Sequence, residues 1–185
     1  MDFPVKGFLE TSFVDWPGKI SSVLFLPHCN FRCPYCHNYE LVTDPGQFPT
    51  VPFDHILETL RHYRGWIDGV CISGGEPTLL PSLPELIACI RQEGMLVKLD
   101  TNGSHPRVLE SLINAHLVDA IAMDVKAPLD REAYARCSGV SVDLDDIMES
   151  VHLIKASGFP YEFRTTVAPT FLHEEDLIRL GHQIK

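Results

Sequence analysis

The chain has 185 residues, 45% of them hydrophobic, and its 25 acidic residues outnumber its 15 basic residues for a formal net charge of −10. This length and apolar content are enough for one hydrophobic core, so we predict a single domain over residues 1–185. The acidic balance argues against nucleic acid and against an anionic membrane surface as partners, because both attract basic patches. No apolar run approaches the roughly 20 residues that cross a bilayer, and the N-terminus lacks a signal-peptide layout, so we expect a cytoplasmic protein.

Apolar runs alternate with helical patterns along the chain. In chain order the sequence predicts a strand over 20–26, a helix over 53–66, a strand over 69–73, a helix over 82–94, a strand over 95–99, a helix over 106–115, a strand over 118–123, a helix around 147–154, a strand over 161–167 and a helix over 174–184. Ser82 and Glu85 have the spacing of a capping box at the start of the second helix.

Repeated βα units predict an α/β fold with parallel strands covered by helices. Right-handed crossovers would curl such a sheet into a barrel or a partial barrel. Polar residues directly follow three of the strands, at 74–76, 100–102 and 124–126. Since parallel strands bring their carboxyl ends to one edge, and active sites of such folds occupy that edge, we expect these residues to form one site.

Three of the six cysteines, Cys29, Cys33 and Cys36, lie within eight residues directly after the first predicted strand. In a reducing compartment such a cluster is more typical of metal binding than of disulfides. Thiolates are the usual ligands of iron–sulfur clusters, which ordinarily take four of them. Three cysteines therefore leave one iron of a 4Fe–4S cluster open to a cofactor. A zinc site that adds His28 or His37 is the alternative.

The spacing C-x₃-C-x₂-C, with the aromatic Tyr35 before the last cysteine, resembles the signature of the radical S-adenosylmethionine (SAM) superfamily. The resemblance is closest to activating proteins of anaerobic ribonucleotide reductase, within the activases of glycyl radical enzymes. Residues 7–19 resemble the leader of one subgroup, and the whole resemblance runs over nearly all of the chain, to Pro169. It implies one 4Fe–4S cluster on the three cysteines, with SAM bound to the open iron.

The resemblance also implies a set of SAM-binding residues. Segment 73–77 resembles a GGEP motif that meets the methionine amine, segment 100–103 resembles a DTNG motif, and the pair after the next strand reaches the ribose and carboxylate. The implied SAM-binding residues are Tyr35, Asn38, Gly74, Gly75, Glu76, Asp100, Thr101, Asn102, Asp124 and Lys126. Simpler explanations are that Asp100 and Asn102 cap the following helix and that Asp124 and Lys126 form a surface ion pair.

By resemblance, the reaction is reductive cleavage of SAM by the reduced cluster, after which a 5′-deoxyadenosyl radical abstracts hydrogen from a backbone glycine of a partner. The implied partner is a glycyl radical enzyme, with anaerobic ribonucleotide reductase as the expected one, and the implied reductant is a flavodoxin or a ferredoxin. A radical SAM enzyme that acts on a small molecule, such as a 7-carboxy-7-deazaguanine synthase, would share every cluster and SAM residue. A non-catalytic zinc-binding module is a more remote alternative.

The chain departs from the family pattern in two ways. The family's partial barrel has six βα units, whereas the sequence predicts five, so we expect a domain truncated at its C-terminus that lacks the sixth. No further cysteine cluster follows the first helix, which argues against the activase branch with ferredoxin-like auxiliary clusters. Arg164, in the last predicted strand, points either into the barrel or to solvent. The other cysteines, Cys71, Cys89 and Cys137, are expected to be buried or inert thiols.

Overall fold

A computed structural model describes residues 2–185. Its strands are β1 (Gly7–Ser12), β2 (Ser21–Leu26), β3 (Gly69–Gly74), β4 (Leu96–Thr101), β5 (Ala120–Asp124) and β6 (Tyr161–Arg164). Its α-helices are α1 (Tyr39–Thr43), α2 (Phe53–His62), α3 (Leu83–Gln92), α4 (Pro106–Asn114), α5 (Arg131–Ser138), α6 (Leu144–Ala156) and α7 (Glu174–Ile184).

The strands form one sheet in the order β1-β2-β3-β4-β5-β6. Strands β2 to β6 are parallel, and β1 pairs with β2 in the antiparallel direction. Helices connect the successive parallel strands, so the α/β prediction and the five predicted parallel strands are confirmed. Within residues 2–185 the sheet contains no sixth parallel strand after β6.

Strand β1 is an element that the sequence patterns do not predict. Its residues GFLETS mix apolar and polar side chains, and most of them are half-buried or exposed. Gly7 pairs with Phe25 and Leu9 with Val23 of β2, and the register breaks between Leu9 and Ser12. The partner strand therefore makes this segment a strand, which a local pattern cannot show.

Helix α5 is also absent from the predicted elements, although its ends carry signals. The Asp130 carboxylate accepts a hydrogen bond from the Ala133 amide at 2.8 Å, as an N-cap does. Gly139 ends the helix with a φ of 72°. The helix buries Tyr134 completely, and its other side chains are largely polar, so it has no clear apolar face to detect.

Three predicted details are wrong. The Ser82 side chain makes no capping hydrogen bond, because its backbone (φ −90°, ψ 20°) is not in the extended conformation of a capping residue. Helix α2 ends at His62 instead of residue 66, since the chain turns through Gly65, whose φ is 86°. Strand β6 ends at Arg164 instead of residue 167.

In the described part of the chain, no helix is long and apolar enough to cross a bilayer.

The two faces of the sheet pack differently. Alternate residues on the outer face, such as Ile72, Leu99 and Met123, are fully buried in the main core beneath the helices. On the inner face, Val23 of β2 and Ala120 of β5 belong to one cluster around Trp16. These strands are three positions apart, about 14 Å in a flat sheet. The sheet must therefore curve, which agrees with the predicted partial barrel.

Candidate metal and cofactor site

A cavity of about 360 Å³ lies at the carboxyl-terminal edge of the parallel strands. Its wall contains all three cysteines of the motif and all ten of the implied SAM-binding residues. It also contains Phe31, His37, Val42, Ser73, Arg164 and Thr166. The residues thus converge at one edge as the strand-end argument predicts, while their individual roles stay predictions.

The cysteine loop, residues 27–38, is fixed in place by contacts with helix α5. The Arg32 amide donates to the Ser138 carbonyl oxygen at 2.8 Å. A Cβ at Gly139 would lie 2.1 Å from the Arg32 carbonyl oxygen, so this close approach requires glycine. Within the loop, the Arg32 guanidinium donates to the Cys29 carbonyl oxygen at 2.6 Å. His28 has a φ of 64°, a left-handed conformation that turns the chain just before Cys29.

Gly74 and Gly75 allow the loop after β3 to touch the backbone at the end of β2 and at the start of the cysteine loop. The Gly75 amide donates to the Leu26 carbonyl oxygen at 2.8 Å, and the Glu76 amide donates to that of His28 at 2.7 Å. A Cβ at Gly75 would lie 1.7 Å from the His28 carbonyl oxygen, and one at Gly74 would lie 2.4 Å from the Leu26 amide. The close approach that these glycines permit is therefore to the protein's own backbone.

Glu76 is buried, with 1% of its surface exposed, and its carboxylate accepts four hydrogen bonds. Oε1 accepts from the Thr78 amide at 3.1 Å, from the Thr78 hydroxyl, and from the Thr101 hydroxyl at 2.8 Å. Oε2 accepts from the Asn102 amide at 2.7 Å. Burial raises the pKa of this carboxyl, although the four donors oppose the shift. Oε2 keeps the capacity to accept from a further donor, such as a ligand ammonium.

Charged side chains of β4, β5 and β6 and of the segment after β5 form a connected network on the inner face. Arg164 donates to Asp124 Oδ1 at 2.9 Å and lies 3.3 Å from Asp100 Oδ2, so it points into the barrel. Lys126 Nζ lies 3.0 Å from Asp124 Oδ2. Lys98, whose side chain is 2% exposed, lies 2.7 Å from Asp100 Oδ1. Positive and negative groups therefore alternate along the network.

The simpler explanations of these residues do not fit the structure. Lys126 is not part of a surface ion pair, because its side chain is only 15% exposed. Neither Asp100 nor Asn102 caps helix α4, whose N-cap residue is His105. The strand-end polar residues instead face the cavity and one another.

The network also sets the ionisation of the site. Burial opposes the negative charge of Asp124, but Lys126 and Arg164 outweigh it and hold the pKa of the carboxyl below its ordinary value. Burial alone would lower the pKa of Lys126, yet Asp124 and the nearby thiols raise it. Burial raises the pKa of Cys33 to about 11, and Lys126 opposes that shift. A cationic Lys126 thus faces the thiols.

Tyr35 and Asn38 complete the wall on the side of the cysteine loop. The Tyr35 ring packs against Phe171, with ring centroids 5.7 Å apart. Its hydroxyl is buried and makes no hydrogen bond with any residue from 2 to 185, and burial raises its pKa. The Asn38 side chain donates to the Gly74 carbonyl oxygen at 2.9 Å, so it links the cysteine loop to the end of β3.

The wall fits a 4Fe–4S cluster together with SAM. All six cysteines are free thiols, with Cys71 and Cys137 buried and Cys89 half-buried as expected. In residues 2–185, no group of three or more His, Cys, Asp or Glu side chains is arranged to hold one metal ion. A cluster instead takes each cysteine on a separate iron. Lys126 would offer a cation to the cluster and to the SAM carboxylate, and Glu76 would offer an acceptor to the SAM ammonium.

Arg164 is the cavity residue that sequence reasoning left undecided. Its register supplies the missing signal, because Arg164 pairs with Asp124 across neighbouring strands. Residues directly opposite each other share one face of the sheet, and Asp124 lines the cavity, so Arg164 points into the barrel with it. Locating that partner required the alignment of β6 against β5, which the sequence alone does not give.

Comparison with known proteins supports the same assignment. The Radical SAM superfamily profile matches residues 23–181. A protein of Methanocaldococcus jannaschii named "Putative glycyl-radical enzyme activating enzyme" is 35% identical over 184 residues, which cover 98% of this chain and 75% of that protein. A pyruvate formate-lyase-activating enzyme of Staphylococcus aureus is 30% identical over 199 residues, covering 97% of this chain and 76% of that enzyme.

Solved structures share the fold. Streptococcus suis SuiB bound to S-adenosylmethionine matches with a TM-score of 0.64 and 17% identity, over 86% of this chain and 38% of that one. Archaeal TYW1 matches with a TM-score of 0.58 and 19% identity, over 88% and 60% of the two chains. Proteins of the superfamily use a 4Fe–4S cluster and SAM. The chain belongs to the radical SAM superfamily and, within it, to the activating enzymes of glycyl radical enzymes.

Proposed function

We propose that this chain activates an anaerobic ribonucleotide reductase by removing a hydrogen atom from a backbone glycine of that partner. The observation that carries the proposal is the convergence of the cysteine loop and three strand ends on one cavity, in a chain whose relatives activate glycyl radical enzymes. Cys29, Cys33 and Cys36 would hold the cluster, and the ten SAM-binding residues would hold SAM. When bound and reduced, the cluster supplies the electron that cleaves SAM.

Each part of the wall has a separate task in this proposal. Lys126 binds the SAM carboxylate, and Asp124 both orients Lys126 and accepts from the ribose. Glu76 Oε2 accepts from the ammonium while its other oxygen holds the loop in place. Asn38 lines the cavity and also donates to the Gly74 carbonyl oxygen, so it helps to position the loop after β3. Arg164 holds Asp100 and Asp124 in the orientation that SAM requires.

The size of the cavity favours a protein substrate over a small molecule. Pockets for small ligands occupy about 300–1,000 Å³, and this cavity, at about 360 Å³, is near the lower limit. The cluster and SAM would both occupy this cavity, so it would leave little volume to enclose a second small molecule. A backbone glycine on a partner's loop needs no enclosing pocket, because the partner supplies the surroundings. The reductant that we propose is a flavodoxin or a ferredoxin.

The test is an anaerobic reaction of the reconstituted protein with SAM, a reductant and a candidate ribonucleotide reductase. We expect a glycyl radical signal in electron paramagnetic resonance of the reductase, and none when its radical glycine is replaced by alanine. Pyruvate formate-lyase serves as the parallel substrate, because an activase of that enzyme is among the relatives.

Each of the other outcomes would support a different function for the chain. A radical on pyruvate formate-lyase alone would change the partner. SAM cleavage with no radical on either protein would point to a small-molecule substrate, such as that of a 7-carboxy-7-deazaguanine synthase. One zinc and no iron per chain would reject the cluster and leave the zinc-binding module.

A further inference from the structure

Asn102 lies directly after β4, and its side chain reaches the cysteine loop. We propose that its amide group donates a hydrogen bond to the Cys29 sulfur and thereby raises the reduction potential of the cluster. This inference rests on the proposed binding of the cluster by Cys29. It assigns to Asn102 a role in setting the potential, which is distinct from contact with SAM.

The contact involves a buried donor. Asn102 is 5% exposed, and its Nδ2 lies 3.7 Å from Cys29 Sγ and 2.9 Å from Asn30 Oδ1. The two hydrogens of one amide nitrogen can serve these two acceptors at the same time. The Phe31 amide also donates to Cys29 Sγ, at 3.3 Å. The sulfur of Cys29 therefore has a backbone donor and a side-chain donor.

The orientation of the amide follows from its other partners. Asn102 Oδ1 accepts from the Ser104 amide at 2.9 Å and from the Ser104 hydroxyl at 2.6 Å. A backbone amide can only donate, so the atom that it contacts must be the oxygen of Asn102. The nitrogen then faces Cys29. Asn30 Nδ2 donates to the Ser104 hydroxyl at 2.8 Å and closes a ring of three side chains.

A donor fixed in this way favours the reduced cluster. Reduction adds one negative charge to the cluster, part of which is carried by the cysteine sulfurs. Hydrogen bonds to the sulfurs and the local charge are among the main determinants of the potential of an iron–sulfur cluster. Because a hydrogen bond to a more negative acceptor is stronger, the Asn102 amide stabilises the reduced state more than the oxidised state. Removal of the donor should make reduction harder.

The experiment is a redox titration of the reconstituted, SAM-free protein, followed by electron paramagnetic resonance of the reduced cluster. Without SAM, the measured potential does not include any change in cofactor binding. In Asn102→Ala we expect the ratio of reduced to oxidised cluster at a fixed poise to fall roughly three- to tenfold, which is about 28 to 59 mV for one electron. Asn102→Asp, which replaces the donor with a negative acceptor, should give a larger fall.

Asn114→Asp is the charge-matched control. Asn114 is exposed at the end of α4, on the amino-terminal side of the sheet, and the potential of this variant should equal that of the parent.

An unchanged potential in Asn102→Ala, with a full cluster, overturns the inference and leaves the proposed function intact. If Asn102→Ala does not retain the cluster, Asn102→Leu decides. Leucine has nearly the volume of asparagine but no donor, so a fall in potential of similar size supports the inference and no change overturns it. A parent protein that assembles no cluster would reject the inference and the proposed function together.

Discussion

The inner face of the curved sheet has two ends of opposite character. At the amino-terminal end, Trp16 packs with Val23, Cys71 and Ala120 and fills the interior with apolar surface. At the carboxyl-terminal end, β4, β5, β6 and the segment after β5 present a network of charges around an open cavity. Lys98 joins the two ends, because its ammonium contacts the Asp15 carbonyl oxygen at 2.9 Å and the Asp100 carboxylate at 2.7 Å.

The difference indicates that the two ends of the sheet have different roles. Buried apolar contacts at the closed end stabilise the fold, in proportion to the surface removed from water. At the open end, burying charges costs free energy that pairing must offset, so we expect these residues to add little net stability, and we propose that they serve binding. Substitutions at the closed end should therefore lower the stability of the fold, whereas substitutions at the open end should impair cluster and SAM binding. The following variants test this difference.

The largest expected effect is the loss of the cluster in Cys33→Ala. With two thiolates left in the motif, we expect iron and sulfide to fall from about four each per chain to background, and reductive SAM cleavage to disappear with them. Chemical analysis and visible absorption of anaerobically reconstituted protein measure this. Cys89→Ala, on helix α3 and outside the cavity, is the matched control and should keep its cluster. A full, reducible cluster in Cys33→Ala would contradict the assignment.

A smaller but still large effect is expected for Gly75→Ala. The added methyl group would lie 1.7 Å from the His28 carbonyl oxygen, so the loop after β3 must move away from the cysteine loop. We expect a folded protein with reduced cluster content and weakened SAM binding, measured by iron analysis and calorimetry.

Gly181→Ala is the matched control for this glycine. Nothing lies within 4 Å of a Cβ at Gly181 in helix α7, and alanine should stabilise that helix by up to about 1 kcal/mol. Normal cluster content and SAM affinity in Gly75→Ala would mean that contact between the two loops is not needed for the site.

At the closed end, Trp16→Ala should destabilise the fold and spare the site. Trp16 is 6% exposed, and removal of a buried tryptophan side chain costs about 3–5 kcal/mol of unfolding free energy. Urea denaturation of the metal-free protein measures this loss, and iron analysis of the reconstituted variant should give the parental value at low temperature. Loss of the cluster with unchanged stability would contradict the proposal that the closed end stabilises the fold and the open end binds the cofactors.

The smallest effect is a pH dependence at the open end. Because the pKa of Asp124 is lowered in the folded protein, its charge stabilises the fold fully above the ordinary aspartate pKa of about 3.9. That contribution is lost as the pH falls through the lowered pKa. The difference in unfolding free energy between the parent and Asp124→Asn should therefore be largest above about pH 5 and shrink in acid.

Urea denaturation of the metal-free proteins across acidic pH measures this difference. Glu110→Gln, exposed on helix α4, controls for the removal of one negative charge. A difference between the parent and Asp124→Asn that grows in acid would mean that Lys126 and Arg164 do not stabilise the carboxylate.

The sequence predicts the open end well and the closed end poorly, for a physical reason. Cofactor chemistry needs particular residue types in short segments, so the cysteine loop and the strand-end motifs are visible as local patterns. Trp16 and strand β1 acquire their places through contacts with distant strands, which a local pattern does not contain. Arg164 shows the same limit inside the site, since its direction follows from the register of β6 against β5.

The loop after β3 makes two backbone hydrogen bonds, one with the end of β2 and one with the cysteine loop, and they have a mechanical consequence. The segment that would bind the cluster and the segment that would contact SAM are linked by backbone hydrogen bonds. A shift of one segment would therefore displace the other. The distance across which an electron would pass is thus set by contacts of the main chain and not by the side-chain conformations alone.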